Sequence, residues 1–177
     1  IRLLSLQLRG LVTMDSLDSA YSPVLRRAAM YFLARREHSS HELKIKLNRK
    51  FSGVSQILML EVLSSLAAEG LQSDERYTES RIRYRQERGF GYHHIRNELI
   101  SKGVDPYLID KKLDPDADSW LHSARELVEK RLSAEKDGSF QEISFASPKH
   151  KKLTRFLEAR GFAQRDIRIA LEGIIAT

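Results

Sequence analysis

A chain of 177 residues holds about one domain of ordinary size, or a run of smaller units. Charged residues make up 31%, against an average of about 25%, while 9 Gly and 4 Pro are too few for the turns an all-β sandwich or barrel needs. The absence of Cys excludes a disulfide scaffold, thiolate metal sites and a cysteine nucleophile, and a formal charge of +6 leaves an anionic partner open without identifying one.

Residues 1–20 read as an N-terminal arm. Leu3, Leu4, Leu6, Leu8, Leu11 and Val12 alternate with polar residues as in a short strand or loop, and Met14 offers a candidate start. No small-residue cleavage site follows, and no apolar run nears the ~20 residues that span a bilayer. With no Cys and no signal pattern, the expectation is a soluble, cytoplasmic protein.

From Tyr21 onward the punctuation is helical. Ser22-Pro23 predicts a helix start, followed by Leu25, Ala28, Ala29, Phe32 and Leu33 at one-face spacing. Ser39-x-x-Glu42 is a capping box ahead of Leu43 and Leu47. After the Ser52-Gly53-Val54-Ser55 break, Ile57, Leu60, Val62, Leu63 and Leu66 predict a third helix closed by Gly70. Asp74 and Glu75 open a fourth, ended by Gly89-Phe90-Gly91, and Ile95 and Leu99 anchor a fifth, ended by Gly103. Asp105-Pro106 starts a short sixth with Leu108, Ile109 and Leu113 inward. Asp114-Pro115-Asp116 opens a seventh through Trp120, Ala124, Leu127 and Leu132. A loop near 137–147 precedes Ser147-Pro148, which caps an eighth helix with Leu153, Phe156 and Leu157. After Gly161, Ile167, Ala170, Leu171 and Ile174 predict a ninth.

These elements repeat. Arg36-x-x-Ser39-x-x-x-Leu43-x-x-x-Leu47 matches Arg88-x-x-Gly91-x-x-x-Ile95-x-x-x-Leu99 and again Arg160-x-x-Ala163-x-x-x-Ile167-x-x-x-Leu171. The expected fold is all-α: tandem three-helix, helix-turn-helix-like repeats of about nine helices, elongated and curved. The repeats fall at 21–72, 73–115 and 116–177.

The search for catalytic chemistry is unproductive. His38-x-x-His41 lacks an H-E-x-x-H context, and a surface or capping role suits the pair better than a metal. Gly89-Phe90-Gly91 has neither Walker nor dinucleotide spacing and reads as a helix stop and restart. No G-x-S-x-G element occurs, and Asp74-Glu75 and Asp114-x-Asp116 sit where helix starts explain them. No enzyme, metal or cofactor is expected. Trp120, Phe156 and Phe162 read as core.

Charge is more informative. Arg76 to Lys102 holds seven basic and three acidic residues; Ile143 to Arg168 holds seven and two. Arg81, Arg85, Arg88 and Arg96 fall at spacings compatible with one face, interleaved with Tyr77, Tyr84 and Tyr92, which read as half-buried core edges. The like-charged Arg81–Arg85 pair would repel in a purely structural helix, which favours a binding role. The candidate partner- or DNA-binding residues are Arg81, Arg83, Arg85, Arg88, His93, His94, Arg96, Lys149, Lys151, Lys152 and Arg155.

The run Asp74-Glu75-Arg76-Tyr77-Thr78-Glu79, Ile82-Arg83, Gly89-Phe90-Gly91 and Ile95-Arg96-Asn97-Glu98-Leu99 resembles the central motif of the RecX family, regulators of the recombinase RecA. Leu33 to Leu43 and Lys151 to Phe162 fit the flanking motifs, so the resemblance covers almost the whole chain. It implies a non-catalytic protein that binds in the groove of the RecA–DNA filament and inhibits extension, strand exchange and coprotease activity. It would contact RecA and, weakly, single- or double-stranded DNA, as a monomer and away from membranes. Tyr92 stands where the family often has Pro, His94 where it usually has Arg, and Arg81 where an apolar residue is commoner; His94, mostly neutral at pH 7, would tune the local charge. The alternative is a free-standing helix-turn-helix DNA-binding regulator.

Overall fold

The structure, a computed structural model, describes residues 14–134, 144–145 and 147–175, with side chains described from 21 to 173. The strand or loop expected for residues 1–13, most of the loop near 137–147 and the Ile174 side chain lie outside the described residues. Among the described residues there are nine α-helices and no strand. They are α1 (Met14–Leu33), α2 (Ser40–Lys50), α3 (Gln56–Ala68), α4 (Asp74–Glu87), α5 (Tyr92–Ser101), α6 (Pro106–Lys112), α7 (Ser119–Ala134), α8 (Pro148–Ala159) and α9 (Gln164–Ile175). The chain divides into two compact units, Ile1–Tyr77 and Thr78–Thr177.

Side-chain caps set several helix starts. The Ser39 hydroxyl accepts from Glu42 N–H at 3.1 Å, Ser55 from Leu58 N–H at 3.1 Å, and Ser147 from His150 N–H at 3.1 Å. Each satisfies an amide that the first turn would leave orphaned. Four helices end alike. Gly70, Gly89, Gly103 and Gly161 take positive φ, and the next residue donates five positions back, as in Phe90 N–H to Arg85 O at 3.0 Å and Phe162 N–H to Leu157 O at 3.2 Å.

Two predicted starts are corrected. α1 begins at Met14, so residues 14–20 are helical rather than arm, and Pro23 lies inside the helix. Having no N–H, Pro23 forgoes one helical bond, a defect the flanking turns carry. Likewise α7 begins at Ser119. Asp114-Pro115-Asp116 forms a turn in which Asp114 Oδ1 accepts from Asp116 N–H at 2.9 Å, and the Asp114 carbonyl accepts from Trp120 Nε1–H at 2.8 Å.

In the first unit, Leu25, Ala28 and Ala29 of α1, Leu43 and Leu47 of α2, and Leu58, Met59, Val62, Leu63 and Leu66 of α3 form one core. Ile57 and Leu60, which the sequence groups with this stripe, instead point outward, Ile57 being 71% exposed. Arg26 clamps Glu69 with two bonds of 2.7 and 2.5 Å, tying α1 to the end of α3. His38 is buried, correcting its surface reading. Its Nδ1–H donates to Arg36 O at 2.9 Å, and Nε2 accepts from Lys46 Nζ at 2.9 Å.

In the second unit, Ala124 and Val128 of α7, Leu153 and Leu157 of α8, Phe162, and Ile167, Ala170 and Leu171 of α9 form a core. Ile95, Leu99, Val104, Ile109 and Leu113 are buried along α5 and α6. Full burial of each Leu or Ile contributes about 1.5–3 kcal/mol.

Candidate interaction surface

The second unit carries all the candidate residues. On α4, Ile82 is buried and Arg81 and Arg85 stand one turn apart, with Arg88 just past the end of the helix. Arg81 and Arg85 converge on a single acceptor, Glu98 of α5. Arg81 Nε–H donates to Oε1 at 3.0 Å, and its Nη2–H donates to the same oxygen. Arg85 Nε–H donates to Oε2 at 2.7 Å, and its Nη2–H donates to Oε1 at 2.8 Å. Burial of Glu98 opposes its charge, yet the hydrogen bonds from Arg85 and Arg81 outweigh that effect and bring its pKa down to about 2. The expected repulsion between Arg81 and Arg85 is therefore absent as an argument for binding, because one carboxylate bridges them.

The remaining candidates divide into exposed and engaged groups. Arg83, two residues and so roughly 200° around the helix from Arg81, is exposed. Arg88 is exposed, with its guanidinium 4.3 Å from the Tyr84 ring centroid. Tyr84 itself is exposed, whereas Tyr77 is buried. Arg96 lies 3.4 Å from Asp110. His93 is exposed, and its backbone N–H donates to Gly161 O at 2.9 Å. His94 stacks on Phe90 at 4.1 Å and 22°. Its pKa is lowered by burial first and then by the Arg85 charge, with Arg160 and Arg81 adding, so it is neutral at pH 7. On α8, Lys151, Lys152 and Arg155 are exposed and Lys149 half-buried; Lys149 and Lys152 also make contacts within the chain.

Arg160 and Glu98 are residues that charge counting passes over. Arg160 Nη1–H donates to Arg88 O at 2.6 Å, and its guanidinium sits between Phe90 at 5.3 Å and Phe156 at 5.0 Å. Arg131 adds a second guanidinium to the Phe156 ring, 4.4 Å from its centroid. The repeat register carries the signal for Arg160, since it aligns with Arg88 and Arg36. Nothing local marks Glu98, whose role depends on a helix packed across a turn. Among the described residues no cluster of His, Cys, Asp or Glu could hold a metal ion, and no helix is long and apolar enough to cross a membrane.

Fold and surface together define an all-α protein of tandem helical repeats with an arginine-rich flank. Residues 73–113 match the family model described as RecX, second three-helix domain. The chain is 39% identical to regulatory protein RecX of Legionella pneumophila (strain Corby) over 140 residues, covering 79% of this chain and 87% of the relative. It is 37% identical to regulatory protein RecX of Pseudomonas entomophila (strain L48) over 150 residues, covering 84% and 90%. The crystal structure of RecX from Lactobacillus salivarius superposes with a TM-score of 0.72 at 20% identity, covering 88% of this chain and 97% of that one. A second crystal structure, of regulatory protein RecX, gives 0.73 at 17%, covering 92% and 79%. The chain belongs to the RecX family of regulatory proteins.

Proposed function

We propose that the chain is a non-catalytic regulator, mainly an inhibitor, of the recombinase RecA. It binds as a monomer in the groove of the RecA–DNA filament and blocks filament extension, strand exchange and coprotease activity. The observation that carries this reading is its kinship over some four fifths of its length with proteins named as RecX regulators. Chemistry supports it: Arg83, Arg88, Lys151 and Arg155 are exposed cations suited to phosphates or to carboxylates on a protein surface. Three repeats, at 21–72, 73–115 and 116–177, would supply successive contact points along a polymer.

The test is a RecA-catalysed strand-exchange reaction with added protein. Inhibition that falls sharply in an Arg83→Ala/Arg88→Ala variant with an unchanged helical spectrum supports the reading. Unaltered strand exchange at saturating protein, with tight sequence-selective duplex binding in the absence of RecA, would instead support a free-standing helix-turn-helix regulator.

A further inference from the structure

α1 buries one side in the first core and leaves the other bare. Val24, Arg27, Met30 and Tyr31 recur at helical spacing on the outward side, and Tyr31 is 61% exposed. Arg27 and Arg35 lie four residues to either side of Tyr31, both exposed, with the Arg35 guanidinium 5.9 Å from the Tyr31 ring centroid. From Tyr21 to Arg36 there are four arginines and no acid. Arg26 is held by Glu69 and Arg36 by Glu42, whereas among the described residues Arg27 and Arg35 have no carboxylate partner.

An aromatic ring between two such cations, bordered by aliphatic side chains, is complementary to a surface that is apolar and acidic at once. A polynucleotide would meet the arginines and leave Val24 and Met30 in water. The chain itself displays a fitting surface in its second unit. Tyr107, in the first turn of α6, is 80% exposed. Asp105 to Asp118 holds five aspartates and two lysines; all five acids are exposed, and Lys112 is taken up by Glu79 at 2.5 Å. Asp110 stands one turn from Tyr107 on α6. This acidic stretch repels phosphates, so the arginine flank on α4 and α8 leaves it without a use.

We propose that the α1 face of one copy docks on the α6 surface of a second copy, Tyr31 packing beside Tyr107 with Arg27 and Arg35 over the aspartates. Each copy carries both faces, so a pair either closes with the contact made twice or keeps two faces open to further copies. Few side chains take part, which places the contact in the weak, transient class. The chain is therefore a monomer when dilute, and copies held side by side on one polymer are brought together by their local concentration. That setting rests on the functional reading above; the contact itself does not.

Sedimentation of the full chain at rising concentration, with neither recombinase nor polynucleotide present, tests the contact. The weight-average mass climbs above that of a monomer, and added salt reverses the climb. Arg27→Ala/Tyr31→Ala and Tyr107→Ala/Asp110→Asn, all at exposed positions, each weaken association by about 5- to 30-fold with unchanged helical spectra. Mixed in equal amounts, the two variants associate with each other more tightly than either does with itself, because the pair retains one intact face of each kind. A chain that stays monomeric throughout, association indifferent to both variants, or no recovery on mixing overturns the inference and leaves the RecA reading to its strand-exchange assay. Recovery on mixing in a protein that leaves strand exchange untouched upholds the contact and sinks that reading.

Discussion

The main-chain N–H of Gly91 donates to the carbonyl of Arg160 at 2.8 Å, so two turns that are copies of one repeat motif are bonded directly to each other. Each belongs to an arginine-led turn, Arg88 to Gly91 and Arg160 to Ala163. The seam is backbone on backbone, reinforced by His93 N–H to Gly161 O and by the Arg160 guanidinium on Arg88 O.

Side chains have no room there. A Cβ on Gly91 would lie 2.6 Å from the Gly161 carbonyl, and one on Gly161 would run into the His94 backbone at a φ of +82°. Gly91→Ala and Gly161→Ala should each cost about 2–4 kcal/mol, because main chain cannot swing aside as a side chain would. Gly173, helical and facing open space, gives the opposite sign: Gly173→Ala should stabilise by about 0.5–1 kcal/mol. Urea titrations of the three variants check both directions, and a Gly91→Ala midpoint equal to wild type would contradict the seam.

Glu98 sets an acid-sensitive step. Its pKa is about 2 when folded against an ordinary 4.5, so the unfolded chain binds the proton more readily. The stability it contributes is therefore complete above about pH 4.5 and is lost as pH falls toward 2. Denaturant titrations across that window should show a decline of about 1–3 kcal/mol that Glu98→Gln removes. At pH 7 the same variant is destabilised, since two neighbouring guanidiniums lose their shared acceptor.

His38 acts in a milder range. Burial lowers its pKa below 6.5; the hydrogen bond to the Arg36 carbonyl opposes this, and the charges of Arg36 and Lys46 add to it. The Nε2 bond needs the neutral ring, since Nε2 accepts from the Lys46 ammonium, whereas the Nδ1–H bond to Arg36 O favours the charged ring and offsets part of the shift. Stability should be complete above pH 6.5 and fall as pH drops below it, because the unfolded imidazole protonates first. His38→Asn, which keeps a donor toward Arg36 O, should flatten that slope in thermal melts run between pH 5 and 7.

The arginines of α4 and of the turn that follows it should separate by role. Arg83→Ala/Arg88→Ala should leave stability within about 0.5 kcal/mol while weakening partner binding. Arg81→Ala/Arg85→Ala should cost about 2–4 kcal/mol by stranding the Glu98 carboxylate. Paired denaturation and filament-binding measurements distinguish them: a binding loss without a stability loss in the Arg81/Arg85 variant would reverse the assignment.

Much of this architecture can be read from the chain. Ser39, Ser55 and Ser147 hold their helix starts through bonds to residues three positions on, and glycine helix ends are equally local. Pro23 misleads because Pro tolerates a first turn but cannot reveal that a helix already precedes it, and Asp114-Pro115 misleads because the same Asp-Pro pair also serves a turn ahead of a helix that starts later. Without an acid opposite it, the Arg81–Arg85 stripe would be a free cationic face; with Glu98 the same stripe is an internal clamp. That distinction depends on α5 packing across the Gly89–Gly91 turn, which charge spacing along α4 does not encode. The repeat register aligns Arg160 with Arg88, but only contact between the copies shows one holding the carbonyl of the other.

Because the joint between the two turns is built from amides and carbonyls with the Arg160 guanidinium as its one side-chain brace, its geometry does not depend on the exposed side chains of the surrounding helices. Exposed cations such as Arg83 on α4 and Lys151 and Arg155 on α8 can be exchanged or lost without altering the distance at which those positions are held. Such a coupling would let the outer faces adapt to a changing partner while the internal ruler between them stays fixed.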